Sequence, residues 1–168
     1  LGHATVSQAI SDPRCLAAVE TFWNEAERTL DNPALNVAQY RAALLERFGN
    51  ARIAHQLAQI AIDGSTKVRV RIVPTAKAEL AAGQSASGAA TAIAAWVAYR
   101  LSGSRLEAGL AADSRDAELS NIVAEANAAG EWQEAVPKLV AVLDPELANN
   151  QDFMTRVSAQ VNALRPTE

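Results

Sequence analysis

Cysteine is nearly missing from this chain. Cys15 stands alone in 168 residues, so no internal disulfide framework can hold the fold, and a reducing, cytoplasmic setting is expected. Histidine is almost as scarce. His3 and His55 show no metal-ligand spacing and have no cysteine pair beside them, so no metal site is expected. There is no glycine-rich phosphate loop, no serine nucleophile elbow and no basic-aromatic patch. Positive charge is in deficit as well: the formal net charge of −4 gives no basic surface for nucleic acid. Long apolar runs are absent too. The longest, Ala89 to Tyr99, cannot cross a bilayer core of about 30 Å at about 1.5 Å per residue. The opening "LGHATVSQAI" lacks the basic start and apolar stretch of a signal peptide.

What the chain does have is apolar and helical. Hydrophobic residues make up 49%, enough for one folded domain with a real core. The expected fold is all-α, a single multi-helix domain over residues 1–168. Asp12 as N-cap and Pro13 at the first helical position open a helix in which Leu16, Val19, Phe22, Trp23, Ala26 and Leu30 recur on one face. "DNPALN" reads as a turn. A second helix over 37–48 stops at Gly49-Asn50. A third starts near Arg52, with Ile53, Leu57, Ile60, Ala61, Gly64 and Val68 on one face. Arg52, Gln56, Gln59, Asp63, Thr66 and Lys67 line the other.

"VRVRIV" alternates like a strand. With no partner strand in view, it reads as a frayed helix end running into extended chain before Pro74. Further helices are expected over 76–80, 89–101, 116–128, 133–143 and 152–164. "DPELANNQ" is read as a turn, and Pro166 as the final stop. There is no internal repeat and no sustained heptad. Cys15 reads as a small core residue, the histidines as surface or packing groups, and Trp23, Trp96 and Trp132 as core or interface.

Gln59, Asp63 and Lys67 are spaced by four, and each step advances about 40° around a helix. All three would point to one side. The plain reading is an Asp63–Lys67 ion pair of about 0.3–0.5 kcal/mol. Gly64 argues for more than that. Glycine inside a helix costs about 1 kcal/mol relative to alanine, which suggests close approach of another element. A lysine aimed away from such a contact is a good donor for substrate hydroxyl or carboxylate oxygens.

"YRAALLERFGNARIAHQLAQIAIDGSTKV" resembles the signature region of the C-terminal domain of the mannitol dehydrogenase and fructuronate reductase family, the long-chain polyol and hexuronate dehydrogenases. The family pattern has arginine-phenylalanine, then asparagine, then an isoleucine-alanine-methionine-aspartate-glycine-serine-glutamine-lysine run. Here Arg47-Phe48, Asn50 and Ile60-Ala61-Ile62-Asp63-Gly64-Ser65-Thr66-Lys67 take those places. "LGHATVSQAISDPRC", "AAWVAYRLSG" and "LDPELANNQDFMTRVSAQVNAL" also resemble family segments, so the likeness spans nearly the whole chain.

The resemblance implies an enzyme that transfers hydride between NAD or NADP and a polyol or sugar acid. The cofactor would be bound mainly by an N-terminal Rossmann domain that these residues do not contain. It implies that Lys67 and Gln59 bind substrate, that Asp63, Gly64 and Ser65 support the site, and that no catalytic or cofactor-binding residue lies in this chain. The catalytic lysine, asparagine and histidine of the family fall just before the stretch beginning at Leu1. The 168 residues alone would then be inactive. Glutamine at 59, where the mannitol branch has arginine, is closer to the hexuronate branch. Thr66 and Ala51 depart from the usual glutamine and proline. A competing reading is a helical binding or scaffold module with no catalytic history. A polar cleft around Gln59 and Lys67, bordered by an apolar patch, separates the two.

Overall fold

The structure is a computed structural model and describes residues 2–32, 34–53, 55–102 and 114–164. Among these the regular elements are all helical, and the one extended contact is an isolated antiparallel bridge between Thr5 and Gln56. The chain runs through α1 (Val6–Ser11), α2 (Pro13–Arg28), α3 (Val37–Gly49), α4 (Leu57–Ala61) and α5 (Gly64–Lys67). A single π-helical turn (Val68–Ile72) leads into α6 (Val73–Ala81). Then come α7 (Ser87–Leu101), α8 (Ser114–Ala129), α9 (Trp132–Leu143), α10 (Pro145–Asn149) and α11 (Gln151–Leu164). Pro166 lies outside the described residues.

α7 is the central helix. Ala89, Ala90, Ile93, Ala94 and Val97 are all fully buried, and a helix that is apolar nearly all round belongs in a core. Its small side chains let α2, α9 and α11 pack against it. Phe153, Val157 and Val161 of α11 are fully buried, as their spacing predicts. Leu164, read as the fourth member of that stripe, is exposed at the end of α11.

On α2 the expected cap forms: Asp12 Oδ1 accepts the Arg14 amide at 2.9 Å. The expected buried face is only half-buried, and Leu30 is exposed beyond the helix end. The buried residue of α2 is an acid. Glu25 is 3% exposed and reaches the first turn of α7, where Oε1 accepts Gly88 N–H at 2.6 Å and Oε2 accepts Ala89 N–H at 2.8 Å. The Ser87 hydroxyl adds a third bond at 3.3 Å. The α7 amides that lack partners within their own helix are thereby met by a carboxylate from another helix, where the helix dipole also favours negative charge.

Three further readings need correction. The helix expected from Arg52 begins only at Leu57, because residues 51–53 form a turn. The extended chain expected before Pro74 is instead helical. Pro74 has no N–H to give the carbonyl four residues back, and the widened turn, with Val73 N–H on Val68 O, carries the chain past it. "DPELANNQ" contains α10, capped by Asp144 Oδ1 accepting from Leu147 N–H at 3.0 Å. Lys77 of α6 bonds Glu146 at 2.5 Å and Asp144 at 3.4 Å, and those two carboxylates raise its pKa.

Candidate functional site

The break between α4 and α5 governs the residues that the sequence singles out. Asp63 takes a left-handed conformation, φ 57 and ψ 28, which aspartate tolerates better than most residues. The chain changes direction there, so Gln59, Asp63 and Lys67 do not lie on one continuous helix. Asp63-Gly64 is itself a turn signal, and it outweighs the four-residue spacing.

Lys67, half-buried at the end of α5, turns its ammonium back over the break. Nζ donates to Ile60 O at 2.7 Å and to Ile62 O at 2.8 Å. Interrupting the helix leaves these carbonyls without their usual amide partners, and a lysine near a helix C-terminus is suited to meet them. No ion pair with Asp63 forms, and among the described residues no carboxylate pairs with Lys67. Two of its three donors are used and the charge is not neutralised.

Gln59 is exposed on α4, next in sequence to Ile60, with no hydrogen bond to Lys67. Ser65 is half-buried beside Gly64. A methyl group on Gly64 would sit 3.6 Å from Trp96 Cδ1, an ordinary contact, so the close backbone approach expected there is absent. That approach occurs at Gly88. Ile53 and Ile60, placed on the buried face by their spacing, are exposed, as are Tyr40 and Val70. Lys67 thus sits beside uncovered apolar surface. Two surface recesses, one between α8 and α9 and one between α9 and α11, include neither Lys67 nor Gln59.

The N-terminal segment is tied to this region. Val6 N–H donates to His55 O at 3.0 Å and Leu57 N–H to Ala4 O at 2.9 Å, which fixes the start of α4. A second cluster lies nearby and is invisible in sequence spacing: donor atoms of His3, Asp12 and Cys15 fall within 4.8 Å of one another. Its chemistry is already committed. Asp12 accepts from Arg14 N, Arg14 Nε and Arg14 Nη2, and its fourth contact is His3 Nε2 at 3.0 Å. A guanidinium bound to the carboxylate opposes a cation there. Cys15 is half-buried rather than core, and desolvation raises its thiol pKa, which disfavours the thiolate that a metal needs.

The Arg14 side chain, then its amide, then His3 hold the Asp12 carboxyl far below the usual carboxylate range. Its folded pKa is therefore depressed, so its stabilising contribution is present above the unfolded value of about 3.9 and fades as pH falls below it. Asp12→Asn keeps a cap acceptor but removes this titration. Denaturation midpoints of the variant should fall less steeply than wild type between about pH 4 and pH 2. Parallel curves would show that Asp12 does not carry the acid sensitivity.

A model of the mannitol dehydrogenase C-terminal domain matches residues 1–165. The chain belongs to this family. Within it, altronate oxidoreductase from Klebsiella pneumoniae subsp. pneumoniae is 40% identical over 89 residues, covering 52% of this chain and 18% of that protein. The altronate oxidoreductase of Escherichia coli O1:K1 / APEC is 40% identical over 88 residues, covering 52% of this chain and 17% of that protein. The match therefore spans less than a fifth of these curated relatives. The solved Pseudomonas fluorescens mannitol 2-dehydrogenase ternary complex with NAD and D-mannitol overlays at a TM-score of 0.77. It covers 97% of this chain and 33% of that one at 22% identity, a likeness of fold. That likeness agrees with the all-α architecture of this mannitol dehydrogenase C-terminal domain. No helix among the described residues is long and apolar enough to cross a membrane.

Proposed function

We propose that this chain is the substrate-binding C-terminal domain of an NAD- or NADP-dependent oxidoreductase acting on a polyol or hexuronate, of the mannitol 2-dehydrogenase or fructuronate reductase type. The observation that carries the reading is Lys67. In a domain of this family, a half-buried ammonium with no carboxylate partner among the described residues stands at an exposed helix break with a donor to spare. Altronate, the compound named for the curated relatives, is a six-carbon sugar acid, rich in the oxygens such a donor binds.

Lys67 would hold substrate oxygens in place, with Gln59 beside it and Asp63, Gly64 and Ser65 setting the break that aims it. The described residues form no strand-turn-helix unit for a dinucleotide. The nicotinamide, which supplies the hydride acceptor when bound, would be held by an N-terminal Rossmann domain. The apolar surface at Ile60 and Val70 is suited to packing against such a domain. The 168 residues alone would not turn over substrate, and the intact protein would work in the cytoplasm.

In the intact enzyme, Lys67→Met should lower kcat/KM at least tenfold, a loss of about 1.4 kcal/mol in transition-state binding. The melting temperature should change little. Steady-state kinetics with unchanged kcat/KM would refute the assignment. A matching collapse of stability would instead make Lys67 only the clasp of the helix break.

A further inference from the structure

The substrate class proposed above includes anions, and an anion needs a cation that a neutral polyol does not. The unneutralised cations nearest Lys67 in the chain are Arg69 and Arg71, on the π-helical turn that follows it directly. Neither forms an ion pair among the described residues. They are not equivalent. Arg71 is four residues past Lys67, close to one full revolution of the widened turn, which brings it back to about the same face, and it is exposed. Arg69 is two residues past Lys67, on the opposite side of the turn, and is half-buried.

Helical side chains lean towards the N-terminus. Lys67 does so visibly, folding back onto Ile60 and Ile62. A side chain at 71 that leans the same way approaches the position of Lys67. The flanking residues, Ile60 and Val70, are apolar and exposed, and would shield a charge pair once covered. The turn itself is unusual: π-helical turns often occur at functional sites, and this one sets the angle between positions 67 and 71.

We propose that Arg71 is the specificity-determining residue for an acidic substrate. Its guanidinium would take the carboxylate through two parallel N–H donors, while Lys67 holds hydroxyl oxygens of the same molecule. The planar fork of arginine matches a carboxylate in a way that the point charge of lysine does not. This inference rests on the dehydrogenase reading and adds the discrimination of sugar acid from neutral polyol.

The test uses the intact enzyme with its cofactor and two probes, altronate and a neutral hexitol, mannitol. In wild type, kcat/KM should favour altronate. Arg71→Gln should raise KM for altronate at least tenfold with kcat within about threefold, leave mannitol kinetics unchanged and so collapse the ratio. Arg71→Lys should recover part of the loss, and Arg69→Gln should leave the ratio where it was. Retained mannitol turnover certifies that the variants fold. An unchanged ratio in Arg71→Gln, or an equal fall in Arg69→Gln, overturns the proposal. A wild-type enzyme active on mannitol but blind to altronate overturns it while the dehydrogenase reading survives. A wild-type enzyme that turns over neither these probes nor fructuronate overturns both.

Discussion

Gly88→Ala should destabilise this domain by about 2–3 kcal/mol, the upper part of the range for overpacking a tight contact. A Cβ at position 88 would lie 2.6 Å from Phe22 N, 2.7 Å from Phe22 Cα and 2.9 Å from the Thr21 carbonyl carbon. All three are backbone atoms of α2, so no rotamer change can make room, and α2 must move away from α7. Alanine ordinarily favours a helix by about 1 kcal/mol over glycine. Here that gain is outweighed, because the crossing of α2 and α7 is a main contact of the core. For a domain of this size the loss corresponds to roughly 5–10 °C in melting temperature. Calorimetry that finds Gly88→Ala neutral or stabilising would mean that the two helices are not this close in solution. Gly64→Ala is the natural control, since its methyl would meet only Trp96 at 3.6 Å.

Glu25→Ala should cost a similar amount, about 2–4 kcal/mol, for a different reason. It removes the acceptor of two buried amides, Gly88 N–H and Ala89 N–H, and of the Ser87 hydroxyl. A buried donor left unmet costs about 1–3 kcal/mol, and no water replaces a carboxylate that is 3% exposed without entering the core. Glu25→Gln keeps one oxygen acceptor but brings an NH2 against backbone donors, so it should fall between wild type and alanine. Urea midpoints for the three proteins give the order directly. If the glutamine variant matches wild type, the negative charge contributes nothing. If the alanine variant matches it, these amides have found other partners. Because Glu25 and Gly88 meet at one crossing, the double variant should lose less than the sum of the singles.

The helices of this domain were legible where the signals are local. Asp12-Pro13 starts α2, Gly49-Asn50 ends α3, and the three- and four-residue recurrence of Phe153, Val157 and Val161 marks the face of α11. Legibility failed where a distant partner decides. Glu25 sits one turn beyond Phe22 with no local signal for burial, and its partners are more than sixty positions along the chain. The period-two look of "VRVRIV" comes from a π-turn that places Val68 and Ile72 against the core, while leaving Val70 and Arg71 outside. At the candidate site, the four-residue spacing offered Asp63 as an ion-pair partner for Lys67, and that pair does not form. The two carbonyl contacts of Lys67 were not foreseeable, since they exist only because Asp63 adopts a left-handed backbone. The approach of His3, Asp12 and Cys15 follows from the cap of α2 and the path of the N-terminal segment, which no motif spacing encodes.

The Glu25 contact also bears on the order of folding. The residue before α7, Ala86, has a left-handed backbone and no side-chain oxygen to offer the first amides. The central helix therefore cannot complete its own start. Its first-turn amides are met by a carboxylate more than sixty residues away, and closing a loop of that length is slow and entropy-limited compared with winding a helix. Closing that contact loops out the long stretch carrying α3 to α6, Lys67 included, between the two helices it joins.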